Sequence, residues 1–145
     1  MTFLVDTNIL LRNVEREHPM HHDAATAILN LMQRGNRLCV IPQNLIEFWN
    51  VATRPAERNG LGYSLKRVEQ EIQELKAFFR LLPDQPDIYP TWEALVVRYE
   101  VRGVNVHDAR LVAAMQTHEL THILTFNVSD FRRYGEITAI APSEV

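Results

Sequence analysis

Met1-Thr2-Phe3-Leu4-Val5-Asp6-Thr7-Asn8 opens the chain, and its pattern governs the interpretation of every later segment. The apolar run Phe3-Leu4-Val5 stops at a carboxylate, and Ile9-Leu10-Leu11 resumes apolar character after two polar residues. That order predicts a short buried strand, a tight turn and a helix. In an open parallel sheet, ligands bind beyond the carboxyl ends of the strands, and Asp6 stands at that edge. Helix capping also explains it, because Asp, Thr and Asn all satisfy free backbone N–H groups. A site requires further carboxylates at the same edge.

Beyond this stretch, Arg12 to His22 is polar and broken by Pro19. Ala24, Ile28, Leu31 and Met32 recur at helical spacing, and Gly35 supplies a stop. Arg37 to Ile41 reads as a second strand, and Pro42 suits the first position of the next helix. Leu45, Ile46, Phe48, Trp49 and Ala52 make that helix apolar round most of its circumference, with Glu47 in their midst. A loop with Pro55, Gly60 and Gly62 leads to Ser64, a cap for the stripe Leu65, Val68, Ile72, Leu75, Phe79 and Leu82. Trp92, Leu95, Val96 and Tyr99 mark a helix closed at Gly103, and Asn105 opens another carrying His107, Asp108, Leu111, Val112 and Met115. Ile123 to Phe126 reads as a buried strand, Asn127 to Tyr134 as a turn and short helix, and Thr138 to Ala141 as a last strand.

This alternation predicts an α/β fold with a mostly parallel central sheet built from the segments near Phe3, Leu38, Ile123 and Ala139. At 145 residues and 46% apolar, the chain suits one domain over 1–145. The stretch at about 64–102 interrupts the alternation and predicts a helical hairpin beside the sheet.

The net charge of -3 gives no bulk attraction to nucleic acid. An acidic site loaded with divalent cations would still bind phosphate through the metal. The only lysines are Lys66 and Lys76, so Arg, which suits bidentate phosphate contact, dominates the basic residues. The one cysteine, Cys39, excludes an intramolecular disulfide and reads as a small buried hydrophobe. No export signal or apolar run of about 18 residues is evident, which predicts a cytoplasmic protein without membrane association.

Four acids occupy special places. Asp6 ends the first strand, Glu47 lies in the helix after the second, Asp108 opens a helix, and Asp130 opens another after the Ile123 strand. If the strands are parallel, the helices that follow them begin at one edge, which gathers these carboxylates. Grouped carboxylates repel and raise one another's pKa unless a cation neutralises them, and oxygen-rich sites of this kind suit Mg²⁺ or Mn²⁺. Taken singly, Asp108 and Asp130 read equally as first-turn acids complementing a helix dipole. The joint arrangement is what favours a site.

The chain here resembles the PIN-domain ribonucleases, in particular the VapC-like toxin subunits of type II toxin–antitoxin pairs. The likeness rests on Asp6-Thr7-Asn8, on Leu45-Ile46-Glu47-Phe48, on His107-Asp108-Ala109, and on Thr125-Phe126-Asn127-Val128-Ser129-Asp130-Phe131. It spans nearly the whole chain. The resemblance implies a three-layer α/β/α sandwich, Mg²⁺ or Mn²⁺ in an acidic pocket, and hydrolysis of RNA phosphodiester bonds. It also implies a small antitoxin protein as partner and a homodimer. Asp6, Glu47, Asp108 and Asp130 match the acidic quartet as metal ligands and catalytic residues. Thr7 and Asn8 match residues that shape the turn, and Asn127 matches a supporting position that many relatives fill with Asp or Asn. Arg12, Arg110 and Arg132 are the candidate phosphate-binding bases.

A catalytically silent RNA- or protein-binding module of the same fold is the alternative. An aspartyl-phosphate phosphotransfer domain also places an acid after its first strand, but it wants a second acid where Asn8 stands and a lysine nearby. His21, His22 and His107 match no structural zinc spacing. Trp49 and Trp92 stand at helical spacing with other apolar residues and read as core. The stripe from Leu65 to Leu82, with Trp92 and Tyr99, reads first as intramolecular packing and second as a candidate dimer face.

Overall fold

The computed structural model describes residues 1–145 and gathers five parallel strands into one sheet. These are β1 (Thr2–Val5), β2 (Arg37–Val40), β3 (Arg80–Leu81), β4 (His122–Leu124) and β5 (Thr138–Ile140), in the order β3-β2-β1-β4-β5. Six helices connect them: α1 (Thr7–Val14), α2 (His21–Gln33), α3 (Pro42–Thr53), α4 (Leu65–Phe78), α5 (Ile88–Arg98) and α6 (Asn105–Thr117).

Side chains alternate across β1, β2 and β4, so each of these strands feeds two cores. Phe3, Val5, Leu38, Val40 and Leu124 pack with residues of α1 to α4. Leu4, Cys39 and Ile123 pack with α5, α6, Phe131 and Tyr134. Topology dictates that division. The crossovers from β1 to β2 to β3 step in one direction, and right-handedness puts their helices on one face. The chain then reverses past β1 to reach β4, which throws α5 and α6 onto the other face. The result is the three-layer α/β/α sandwich, with its switch point at β1.

Local signals act as expected. Ser64 Oγ accepts from the Arg67 N–H at 3.2 Å, and Gly35 ends α2 with φ of +84°. Cys39 is buried, its thiol donates to the Phe3 carbonyl at 3.3 Å, and burial pushes its pKa up to about 12. No helix is long and apolar enough to cross a membrane.

Three expectations need correction. The stretch at 64–102 is not a hairpin, because β3 divides it. The apolar residues Val68 and Leu75 of α4 enter the first core, while Ile88 and Leu95 of α5 enter the second. Two amphipathic stripes in succession look alike whether they pair with each other or with opposite faces of a sheet. The candidate dimer face fails for the same reason, since Trp92 and Tyr99 pack on the layer opposite α4. Trp49 also departs from the core reading and stands 37% exposed beside Ile46, itself 68% exposed.

Asn44 joins the fold to the carboxylate edge. It is fully buried, its Oδ1 accepts from the Ile41 N–H at 2.9 Å, and its Nδ2 donates to Thr7 Oγ1 at 3.3 Å. Asn44→Ala leaves that N–H buried without its partner, so urea unfolding should show a loss of about 1–3 kcal/mol. A change inside about 0.5 kcal/mol would show that this bridge contributes little.

Candidate active site

Pairing of β1 with β4 brings Val5 opposite Leu124, so the next residues, Asp6 and Thr125, meet where both strands end. Asp6 is both the cap of α1 and a member of the cluster. Its Oδ1 accepts from the Thr7 N–H at 2.8 Å, and its Oδ2 accepts from Thr125 Oγ1 at 2.7 Å and from Asn8 Nδ2 at 3.3 Å. The Thr125 hydroxyl also accepts from Asn8 Nδ2 at 3.3 Å and from the Asn127 N–H at 3.0 Å, which exhausts its hydrogen-bonding capacity. Asn8 Oδ1 accepts from the Phe126 N–H at 3.2 Å. With Oδ2 carrying two bonds and Oδ1 one, the remaining acceptor position of Asp6 lies on Oδ1.

Glu47 comes from the other side of β1, on α3. Gln43, one turn earlier and nearly buried, donates from Nε2 to Glu47 Oε1 at 3.0 Å and to the His107 carbonyl at 2.8 Å. Its Oε1 accepts from the Arg110 guanidinium at 3.0 Å. One amide therefore ties α3 to α6 and sets Glu47 relative to Asp108. Asp108 lies in the first turn of α6, and Asp130 in the 3₁₀ turn Val128–Phe131 after β4.

The electrostatics join all four acids. Asp6 is raised by burial, against the pull of Thr125 and Thr7, and raised further by Asp130. Glu47 is raised by burial and by Asp6, with Gln43, His107 and Arg110 opposing. Asp108 is raised to about 7 by burial and by Asp6, Asp130 and Glu47 together, with Arg133 opposing. Glu47 and Asp130 thus both act on one neighbour, Asp108. No three His, Cys, Asp or Glu side chains stand close enough together to ligate one ion directly.

The candidate bases divide. Arg110 stands at the rim, bonded to Gln43 and 3.5 Å from Asp84 Oδ1. Arg12 lies six residues along α1 from Asp6, about 9 Å in rise, and pairs with Glu15. Arg132 is exposed, and the neighbouring Arg133 is the base whose charge reaches Asp108. Sequence reading missed Arg133, Gln43 and the supporting roles of Asn44 and Thr125. Only Thr125 carried a signal, as the polar residue ending β4 next to the strand that ends in Asp6.

A carboxyl raised above its unfolded value of about 4 holds its proton more tightly in the folded chain. Between that value and about 7 the folded state carries the excess protons, so stability from this source is full below about pH 4 and is lost as pH rises. In chelator, the urea midpoint should decline from about pH 5 to about pH 7, and Asp108→Asn should flatten the decline. Mn²⁺ should restore stability most at the upper end. A flat profile without metal would show that the acids do not interact.

Comparison with known proteins agrees with this architecture. No curated protein matches the chain. Solved structures do. VapBC2 from Rickettsia felis, bound to a promoter DNA fragment, aligns with a TM-score of 0.73 at 12% identity over 97% of this chain and 98% of that one. A toxin–antitoxin complex from Klebsiella pneumoniae aligns with a TM-score of 0.66 at 22% identity over 99% of both chains. VapC20 of Mycobacterium tuberculosis, a sarcin-ricin loop cleaving toxin, aligns with a TM-score of 0.67 at 17% identity over 93% of this chain and 96% of that one. At these identities the likeness establishes the fold. The PIN domain family model matches residues 3–137, and the chain belongs to the PIN domain family.

Proposed function

We propose that this chain is a Mg²⁺- or Mn²⁺-dependent endoribonuclease that hydrolyses RNA phosphodiester bonds as the toxin of a toxin–antitoxin pair. The observation that carries the reading is the electrostatic coupling of four carboxylates drawn from separate elements. Family membership supports it, as does the presence of a Klebsiella toxin–antitoxin complex and an RNA-cleaving toxin among the structural neighbours.

A hard divalent cation fits this donor set, because every candidate ligand is a carboxylate oxygen and the acids carry a repulsion that a cation relieves. The lack of three converging ligands disfavours Zn²⁺, which takes three or four protein donors directly. Mg²⁺ keeps several waters and takes only one or two carboxylates, so Asp6 with one of Glu47, Asp108 or Asp130 suffices. When bound, the ion supplies an activated water for in-line attack on phosphorus and stabilises charge on the leaving oxygen.

The chain's own residues orient and exclude. Thr125, Asn8 and the Thr7 N–H hold Asp6 with Oδ1 available. Gln43 aims Glu47, and Asn127 supplies a polar group next to Thr125. Arg110 is the phosphate-binding base of this reading. A small antitoxin protein that covers the pocket completes it, with a cytoplasmic setting. The apolar strip of exposed Ile46 and Trp49 with half-buried Leu45 and Ile72 is our candidate for the homodimer contact.

Cleavage of a mixed RNA pool tests the reading. Activity should need Mn²⁺ or Mg²⁺, stop with EDTA, and fall at least about 100-fold in Asp6→Asn. Equal activity in both proteins would identify a contaminant. Thr125→Val should lose about 10- to 100-fold, with Thr125→Ser recovering most of it. Because Thr125 lowers the pKa of Asp6, the acid limb of the pH–rate profile should move upward in the valine variant. An unmoved limb would reduce Thr125 to a packing role. Ile46→Glu should convert a dimer to a monomer in light scattering, and a monomeric wild type would remove the dimer from the proposal.

A further inference from the structure

We propose that the groove between the first turns of α5 and α6 is a nucleobase pocket, in which one unpaired RNA base stacks against Tyr89 and Trp92 beside the carboxylate site. The proposal rests on the ribonuclease reading and adds to it the form of RNA recognised. The groove has a volume of about 520 Å³, within the range of small-molecule sites, and Ile88, Tyr89, Trp92, Val106, His107 and Arg110 line it.

Three features point to a base. The first is the aromatic wall. Tyr89 and Trp92 stand three residues apart on α5, with ring centroids 5.6 Å apart and planes inclined at 35°. Tyr89 is 64% exposed, so core packing does not account for it. The second is preorganisation. The Trp92 indole N–H donates to the Val106 carbonyl at 2.8 Å, and the Tyr89 hydroxyl donates to Glu93 Oε2 at 3.0 Å. Their polar atoms are already partnered, so they offer the groove π-surface held in place.

The third feature is connection to the acids. His107 lines the groove and Asp108 is the next residue. Arg110, also in the lining, bonds Gln43, which bonds Glu47. A nucleotide whose phosphate meets the carboxylate site through a cation therefore has its own base within reach of the aromatic wall. The Arg110 charge between them suits the intervening backbone. An apolar side chain of a protein would use the wall but neither the cation nor the acids. Bases in an A-form duplex are stacked away, so the pocket selects unpaired RNA.

Binding separates this proposal from the ribonuclease reading. In EDTA, a short fluorescein-labelled single-stranded oligoadenylate should bind, quench tryptophan emission, and lose the quench in Trp92→Phe, which retains Trp49. Tyr89→Ala should weaken binding roughly 5- to 150-fold, the range for one base–aromatic stack, and Tyr89→Phe should recover it. An oligomer stripped of its bases should bind wild type and Tyr89→Ala alike. Quenching without Mn²⁺-dependent cleavage would support the pocket and remove the ribonuclease reading. Cleavage by wild type with Tyr89→Ala binding unchanged would overturn the pocket alone. If Tyr89→Ala spares RNA but weakens association with a co-expressed protein partner, the groove is a protein-docking surface and the proposal fails.

Discussion

The hydrogen bond from Thr125 Oγ1 to Asp6 Oδ2 is the contact on which the site depends. It exists because β1 and β4 lie side by side in parallel register, although 119 residues separate the two partners. That adjacency follows in turn from the reversal of crossover direction at β1. An aspartate only 7% exposed would ordinarily take up a proton, and burial does push Asp6 that way. Thr125 and the Thr7 N–H oppose the push. The same contacts leave one acceptor position on Oδ1. Support of the charge and direction of the free lone pair are thus one arrangement.

Three of the four acids are placed by helix starts, so one position can serve both a structural and a functional reading. Asp6 caps α1, and Asp108 and Asp130 sit in first turns, as a dipole argument wants. Each contributes locally to its helix. Delivered together, they add to burial in raising Asp6 and Asp108, so the favourable local terms are offset at the cluster. A fold selected for stability alone would not bring a capping acid, two first-turn acids and Glu47 into one field. That conflict between local preference and shared placement is what our proposal reads as a site.

How much of this could be read from residues alone depends on which forces write patterns into sequence. The strands at Phe3, Leu38 and Ile123 were legible because they are buried on both faces and flanked by helical periodicity. The placement of Asp6, Asp108 and Asp130 was legible from strand and helix ends, whereas Glu47 stands inside α3. β3 was not, since Arg80 and Leu81 pair through main-chain bonds, such as the Leu82 N–H to the Val40 carbonyl at 2.9 Å, while their side chains stay exposed. Its loss turned two helices on opposite faces into an apparent hairpin. Gln43 was invisible for a different reason. Its three partners lie on two helices, and no periodicity records a bond between residues 67 positions apart.

Charge explains why a pocket for bases belongs next to such a site. A protein of net charge -3 draws RNA by no general attraction, and clustered carboxylates repel a phosphate backbone. A cation reverses that sign only locally, over a Debye length of about 8 Å, and the guanidinium charge beside the acids comes from Arg110 and Arg133. The remaining affinity has to come from terms indifferent to charge. Stacking on Tyr89 and Trp92 is such a term, and Trp92 shows how it escapes a reading based on spacing. Its helical periodicity is that of a core residue, and its ring does pack on the second core. Only the position of α5 against α6 opens the rest of its surface to the groove. One side chain therefore serves both roles.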